Sequence, residues 1–155
     1  MYQNPYYHPY NPYTNDYLRV QNNTQLVRDI QKAINGEFSA MACYEKLAQM
    51  APNQKERNQI LEIREDERRH FEEFTRIYTS LTGRQPTPKM TEECPNTYKR
   101  GLEAAFMDEQ ETVDFYLDIV DKAQDLTIKQ AFHRASADEQ NHAVWFLYFL
   151  TKNRR

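Results

Sequence analysis

The chain has 155 residues, enough for one domain with a single hydrophobic core. Its 20 Lys and Arg residues against 23 Asp and Glu give a net charge of −3, which predicts no broad basic surface for nucleic acid. Only 3 residues are glycine while 28% are charged, a composition that favours helices over a turn-rich β fold. The sequence has neither an apolar segment of about 18 residues nor a secretory signal, so we expect a cytoplasmic protein without membrane contacts.

The first 17 residues differ from the rest of the chain, because they contain six tyrosines and three prolines and no aliphatic residue after Met1. Prolines at this density oppose a helix, and the segment has no apolar face that could join a core. The sequence therefore predicts a disordered Tyr/Pro/Asn-rich tail over residues 1–22 and a folded domain over residues 23–155.

Two amphipathic helices are predicted in the first half of the folded domain. A period of 3.6 residues begins near Asn23, and this helix must end before Pro52. Asn53 followed by Glu56 is typical of a capping box that opens a second helix, and Gly83 is suited to end it. Together these helices predict a helical hairpin.

The second half predicts another helical hairpin after a connection that contains three prolines, residues 84–95. A third helix is expected from about Asn96 to Ala123, and Asp125 is a suitable cap for a fourth. Four helices of about 25 residues each predict an all-α four-helix bundle.

The two halves repeat one another without a gap. The stretches "REDERRHF" and "SADEQNHA" each contain an Asp, a Glu and, three positions after the Glu, a His. Residues in the two halves match at a constant separation of 72 positions, which indicates an internal duplication of the hairpin. The matching pairs are Glu37 and Glu109, Tyr44 and Tyr116, Asp66 and Asp138, Glu67 and Glu139, and His70 and His142.

Four of the repeated glutamates interrupt helix faces that are otherwise apolar. Burying an unpaired carboxylate costs several kcal/mol, and four carboxylates together would also repel one another. Two divalent cations would balance four carboxylates, and two imidazoles would complete their coordination, a ligand set that suits iron or manganese. A Glu from each of two helices and a Glu-x-x-His from each of the other two is the di-iron bundle arrangement. The six predicted metal ligands are Glu37, Glu67, His70, Glu109, Glu139 and His142.

Residues 24–152 resemble the ferritin-like superfamily, and their motifs are most similar to those of the rubrerythrins. This resemblance implies two iron ions as cofactors, with manganese as the alternative, and carboxylates that bridge them. It also implies supporting roles for Tyr44 and Tyr116, and it suggests that Asp66 orients His142 and Asp138 orients His70.

Two departures from the rubrerythrin pattern bear on activity. The chain lacks a four-cysteine rubredoxin module, so the electron donor that such a module provides is missing. Thr112 stands where rubrerythrins carry a further Glu. Cys43 and Cys94 form no CxxC motif, and we expect both to be reduced thiols.

Several function classes remain open from the sequence. The first is an oxidoreductase, peroxidase-like or ferroxidase-like, that reduces O2 or peroxide at the metal centre. The second is a structural protein in which the metal stabilises the fold, because the tail resembles segments of bacterial spore-coat proteins and would dock to other proteins. Ferritin-type iron storage is a third, weaker alternative. An inert tail is also an alternative.

The connection between the hairpins bears on assembly. Its length barely covers the distance that two parallel central helices require, so residues 84–95 are expected to be nearly fully extended. The alternative is a dimer that exchanges hairpins between chains. We expect the hairpins to pair within one chain, and the chain to form a homodimer through its helix faces.

Overall fold

The computed structural model describes the backbone of residues 12–152 and the side chains of residues 23–152. These residues form four helices and no strand, so the predicted all-α four-helix bundle is confirmed. No helix in the described part of the chain is long and apolar enough to cross a membrane. The helices are α1 (Pro12–Met50), α2 (Gln54–Thr82), α3 (Tyr98–Lys122) and α4 (Leu126–Lys152).

The boundaries of α2 and the start of α4 follow from local capping chemistry. The Asn53 side chain accepts a hydrogen bond from the Glu56 backbone N–H, so the predicted cap at Asn53 is present, and the Asn53 side-chain amide donates to the Glu56 carboxylate. Gly83 ends α2 with a φ of 68°, a left-handed conformation that glycine adopts at no steric cost. Asp125 accepts the first free N–H groups of α4, again as predicted.

The start of α1 differs from the prediction. The helix begins at Pro12 and not near Asn23, so the predicted tail is wrong for residues 12–22. Proline is tolerated in the first turn of a helix, where its missing N–H has no partner to lose, and no further proline occurs before Pro52. Residues 1–11 lie outside the described residues, and their disorder remains a prediction.

The helices pack as two hairpins, hairpin 1 (α1 and α2) and hairpin 2 (α3 and α4), with α1 beside α3 and α2 beside α4. Two apolar clusters fill the bundle, one towards each end. Phe74 and Phe132 stack at 4.0 Å in one cluster, and Tyr44 packs on Phe146 in the other. The six predicted ligands lie in sequence between the two clusters on every helix, so the apolar ends isolate a polar layer in the middle.

The crossover (residues 83–97) joins the hairpins within one chain and runs along the surface of α1. It contacts a single stripe of α1, residues 35, 39, 43 and 46, which repeat at helical spacing. Residues 89–96 of the crossover lie beside residues 35–46 of α1. The eleven helical steps between residues 35 and 46 span roughly 16 Å, which is less than the ~23 Å that seven fully extended steps of the crossover can span. The expectation of a nearly fully extended connection is therefore not met over residues 89–96. The contacting pairs are Lys89 with Asn35, Thr91 with Ser39, Cys94 with Cys43, and Asn96 with Lys46.

Cys43 and Cys94 form a disulfide, so the expectation of two reduced thiols is wrong. Their Cα atoms lie 5.1 Å apart although 51 residues separate them in sequence. The hydrogen bonds of the crossover to α1 bring Cys94 to this position, and no local motif signals such a long-range contact. The disulfide fastens the crossover at the level of Tyr44, one residue after Cys43.

Candidate metal centre

All six predicted ligands converge in the middle of the bundle. Helices α1 and α3 each contribute one Glu, and α2 and α4 each contribute a Glu and the His three residues later, which share a helix face. None of the six is more than 5% exposed. Buried carboxylates at this density demand positive charge beside them, because their desolvation is otherwise uncompensated.

The ligand atoms form two overlapping groups of four, in each of which all atoms lie within 4.8 Å of one another. Glu67 and Glu139 belong to both groups, so each can offer one oxygen to each of two ions. The first group adds Glu37 and His70 to this shared pair, and the second adds Glu109 and His142.

The Nδ1 atom of each histidine faces three carboxylates at once. His70 Nδ1 lies 3.1 Å from Glu139, 3.3 Å from Glu67 and 3.5 Å from Glu37. His142 Nδ1 lies 3.1 to 3.6 Å from three carboxylates in the same way. One N–H cannot donate well to three oxygens, whereas a nitrogen and three oxygens around one point match the coordination of a metal ion.

The opposite nitrogen of each histidine contacts an aspartate of the other hairpin. His142 Nε2 lies 3.1 Å from Asp66, and His70 Nε2 lies 3.3 Å from Asp138, so the structure makes both predicted pairings. Arg134 in turn binds Asp138 at 3.0 Å. With Nε2–H donating to these aspartates, the lone pair of Nδ1 points at the carboxylates, which is the tautomer that a metal requires.

Two buried tyrosines contact the unshared glutamates, those that belong to only one of the two ligand groups. The Tyr44 hydroxyl donates to Glu109 at 2.5 Å, and the Tyr116 hydroxyl donates to Glu37. Each bond joins α1 and α3, so the tyrosine of one hairpin orients the glutamate of the other. Burial, followed by the charge of the nearby glutamate, raises the pKa of both tyrosines, which keeps them neutral hydrogen-bond donors.

The electrostatics of the metal-free site show how much positive charge it needs. Burial and the charge of Glu67 raise the pKa of Glu37, and burial and Glu139 raise that of Glu109. Burial alone would lower the pKa of both histidines, but the surrounding carboxylates raise it. Without a metal, protons therefore supply the charge that holds these residues together.

Two buried carboxylate oxygens without a hydrogen-bond partner indicate that a metal fits the site. Oε1 of Glu67 and Oε1 of Glu139 are buried and have no hydrogen-bond partner, although each lies 3.1 Å from a histidine Nδ1. These two glutamates are the pair that both groups share. An orphaned oxygen in a buried position is costly, so its presence on each shared carboxylate fits a cation as the partner of both.

A cavity of about 210 Å³ leads from the surface between α1 and α3 to the carboxylates. All four glutamates and both tyrosines line it, but neither histidine does, so the centre is open on its carboxylate side. At the mouth lie Asp108 of α3 and Glu92 of the crossover. Burial, followed by the charge of Glu92, raises the pKa of Asp108 to about 7.

The sequence reasoning did not identify this cavity or its mouth. Asp108 directly precedes the predicted ligand Glu109, but its counterpart 72 positions earlier is Gly36, so the repeat does not single it out. Glu92 lies in the crossover, whose path along α1 has no periodic signal in the sequence.

Comparison with known proteins identifies a close relative and supports the fold. No protein-family model matches the chain. It is 55% identical to the uncharacterized protein YhjR of Bacillus subtilis over 145 residues, which cover 93% of this chain and 95% of that one.

Solved structures with low sequence identity share the architecture. The bacterioferritin of Desulfovibrio desulfuricans, whose structure describes a diiron site in different catalytic states, matches with a TM-score of 0.74 and 21% identity, covering 86% of this chain and 84% of that one. A two-domain protein of Anabaena variabilis with DJ-1-like and ferritin-like domains matches with a TM-score of 0.66 and 15% identity, covering 84% of this chain and 37% of that one. The fold is therefore that of a ferritin-like four-helix bundle.

Proposed function

Because this chain belongs to the same family as YhjR of Bacillus subtilis and has the ferritin-like fold, we propose that it is a two-metal oxidoreductase that reduces peroxide or O2. The observation that carries the proposal is the pair of overlapping ligand groups that share Glu67 and Glu139. Two adjacent ions that each change by one electron can together supply the two electrons that reduce one peroxide, and the shared glutamates support such a pair.

The donor set favours iron, with manganese as the alternative. It consists of carboxylate oxygens and imidazole nitrogens, and neither cysteine takes part. Sulfur-free oxygen and nitrogen ligands suit iron and manganese in the divalent and trivalent states. The bacterioferritin that shares the fold is described with a diiron site, which supports iron here.

Some ligand side chains would bind one ion each, and others would contact both ions. Glu37 with His70, and Glu109 with His142, would each hold one ion, and Glu67 with Glu139 would bridge the pair. The bound ions would supply one-electron chemistry towards oxygen species. The protein's own contribution is a polar layer between two apolar clusters, which holds the carboxylates in place and opens to the surface through the cavity between α1 and α3.

The shape of the site restricts where a substrate can approach. The cavity of about 210 Å³ reaches the carboxylate side, and it has room for a small molecule such as O2 or hydrogen peroxide. The histidine side is closed by the cross-hairpin pairs with Asp66 and Asp138. Tyr44 and Tyr116 also line the cavity, and their hydroxyls hold Glu109 and Glu37 on its wall.

The proposal is tested by loading the metal-free protein anaerobically with ferrous iron and adding hydrogen peroxide. We expect two irons per chain and consumption of one peroxide per two irons oxidised. The control is the Glu67→Gln variant, which lacks one shared ligand and should bind fewer irons and consume less peroxide. Two tightly bound irons that react with neither peroxide nor O2 would instead indicate a structural site.

A further inference from the structure

The Cys43–Cys94 disulfide lies beside the candidate metal centre. Cys43 directly precedes Tyr44, whose hydroxyl touches the ligand Glu109. Both cysteines line a small cavity of about 40 Å³. This cavity shares Ala40, Tyr44, Glu92 and Asp108 with the cavity that reaches the carboxylates, so the two cavities adjoin one another.

The crossover does not depend on the disulfide for its position. The Thr91 backbone N–H donates to Ser39 at 3.0 Å, and the Lys46 ammonium donates to Asn96 at 2.7 Å and to the carbonyl of Cys94 at 3.2 Å. These bonds lie on both sides of Cys43 along α1. The two thiols would consequently remain next to each other after reduction, and the pair can cycle without unfolding the chain.

The two hairpins differ at the position of Cys43 although the neighbouring ligand-contacting tyrosine is repeated. The position of hairpin 2 that matches Cys43 is Phe115, while Tyr44 has the counterpart Tyr116. Both tyrosines contact a ligand glutamate, but only one is preceded by a cysteine. The thiol pair is therefore an addition to one half of an otherwise repeated site, and both of its residues are only half-buried, within reach of an external thiol.

We propose that Cys43 and Cys94 form the internal two-electron donor of the metal centre, cycling between dithiol and disulfide. This inference rests on the proposed function. Reduction of one hydrogen peroxide oxidises two metal ions by one electron each and consumes two protons to give two waters. The dithiol then returns two electrons to the two ions, its two S–H bonds break, the S–S bond forms and two protons are released.

Summed over both steps, hydrogen peroxide and the dithiol give two waters and the disulfide, so electrons and protons balance. An external reductant of the dithiol class would restore the thiols by exchange. The pair thereby supplies both electrons from within the bundle.

The test uses the full chain, reduced and then loaded anaerobically with two ferrous ions. After one equivalent of peroxide, thiols are counted by alkylation and intact mass, and ferrous iron is counted with a chelator. We expect loss of both thiols and return of the irons to the ferrous state, at a rate independent of protein concentration. In the Cys43→Ser/Cys94→Ser variant the irons should stay ferric.

Two controls separate electron transfer through the metal centre from direct oxidation of the thiols by peroxide and from a change in crossover position. A zinc-loaded chain has the same ligands without redox chemistry and should keep both thiols over the same time. The Ser39→Ala variant removes one crossover bond but keeps both cysteines and the bonds from Lys46, so it should lose its thiols as the unsubstituted chain does.

Each result of this experiment has a distinct meaning. If peroxide is consumed but the irons stay ferric, and both thiols remain free and are alkylated, the disulfide has only a structural role and the inference is wrong. Equal thiol loss in the zinc form, or a rate that rises with protein concentration, would also overturn it. If iron-loaded protein consumes no peroxide, the proposed function itself fails, and the internal donor fails with it.

Discussion

The two ligand groups make a quantitative prediction because some ligands are shared and others are not. Glu37 and Glu109 each belong to one group, whereas Glu67 and Glu139 belong to both. We therefore expect Glu37→Gln and Glu109→Gln each to retain about one metal per chain. Glu67→Gln should weaken both sites and retain less than one. Glutamine has nearly the same shape as glutamate, so the packing of the buried layer is preserved.

The effect on stability follows from mass action. A free metal concentration of about 100 times the Kd stabilises the folded state by ~2.7 kcal/mol per site. Loss of one site should therefore lower the free energy of unfolding of the metal-loaded chain by ~2.7 kcal/mol. For a domain of this size that corresponds to a fall in Tm of roughly 5–10 °C.

In the metal-free chain, Glu37→Gln should not lower the free energy of unfolding. Burial and the charge of Glu67 raise the folded-state pKa of Glu37, so the folded state holds a proton that the unfolded state releases. The stability of the metal-free chain should consequently fall as pH rises above the unfolded pKa of about 4.3. Glu37→Gln removes this contribution, so at neutral pH the metal-free variant should be at least as stable as the unsubstituted chain.

The measurement combines metal analysis with thermal unfolding at pH 7, with and without added ferrous or manganous ion under nitrogen. The expected pattern is a crossing, in which the variant is less stable with metal but not without it. Two metals bound per chain in Glu37→Gln, or the same stoichiometry in Glu37→Gln and Glu67→Gln, would refute the division into shared and unshared ligands.

Three further predictions concern other parts of the bundle. Asp138→Asn should weaken metal binding about 10- to 100-fold, measured by competition with a chelator, because the carboxylate beside His70 is lost; unchanged affinity would contradict its orienting role. Gly101→Ala should lower the free energy of unfolding by about 1–3 kcal/mol in denaturant titrations, because the new Cβ would lie 2.5 Å from Leu47; no change would show that Leu47 moves freely. Asp108→Asn should stabilise the metal-free chain above pH 7 and have little effect near pH 4, since burial raises the pKa of Asp108 to about 7; equal effects at both pH values would contradict this.

The sequence was informative where the chemistry repeats. The match between Glu67-x-x-His70 and Glu139-x-x-His142, at the same separation as Glu37 and Glu109, is a signal that a single motif lacks. The periodic apolar faces then determine which way these side chains point, so the structure brings together the residues that the pattern singled out. Helix caps such as Asn53 and Asp125 were equally predictable, because capping depends on neighbouring residues only.

The features that sequence reasoning missed mostly depend on contacts distant along the chain. The Cys43–Cys94 disulfide depends on the path of an irregular segment over α1, which has no period and no fixed partner in the sequence. The cavity between α1 and α3 depends on how two helices of different hairpins are spaced. The start of α1 at Pro12 was missed for another reason, since proline opposes a helix everywhere except in its first turn.

The sharing of glutamates has a consequence for how the bundle must be assembled. Hairpin 1 provides three ligands of the first group, and the fourth, Glu139, comes from hairpin 2. Hairpin 2 provides three ligands of the second group, and the fourth, Glu67, comes from hairpin 1. Neither hairpin can therefore close a ligand group alone, whereas two identical hairpins related by a twofold axis would close two. The two hairpins of this single chain thus complete each other's ligand groups in the way that two subunits of a symmetric homodimer would. Joining the copies left the chain free to alter one of them, and Cys43 opposite Phe115 is such an alteration.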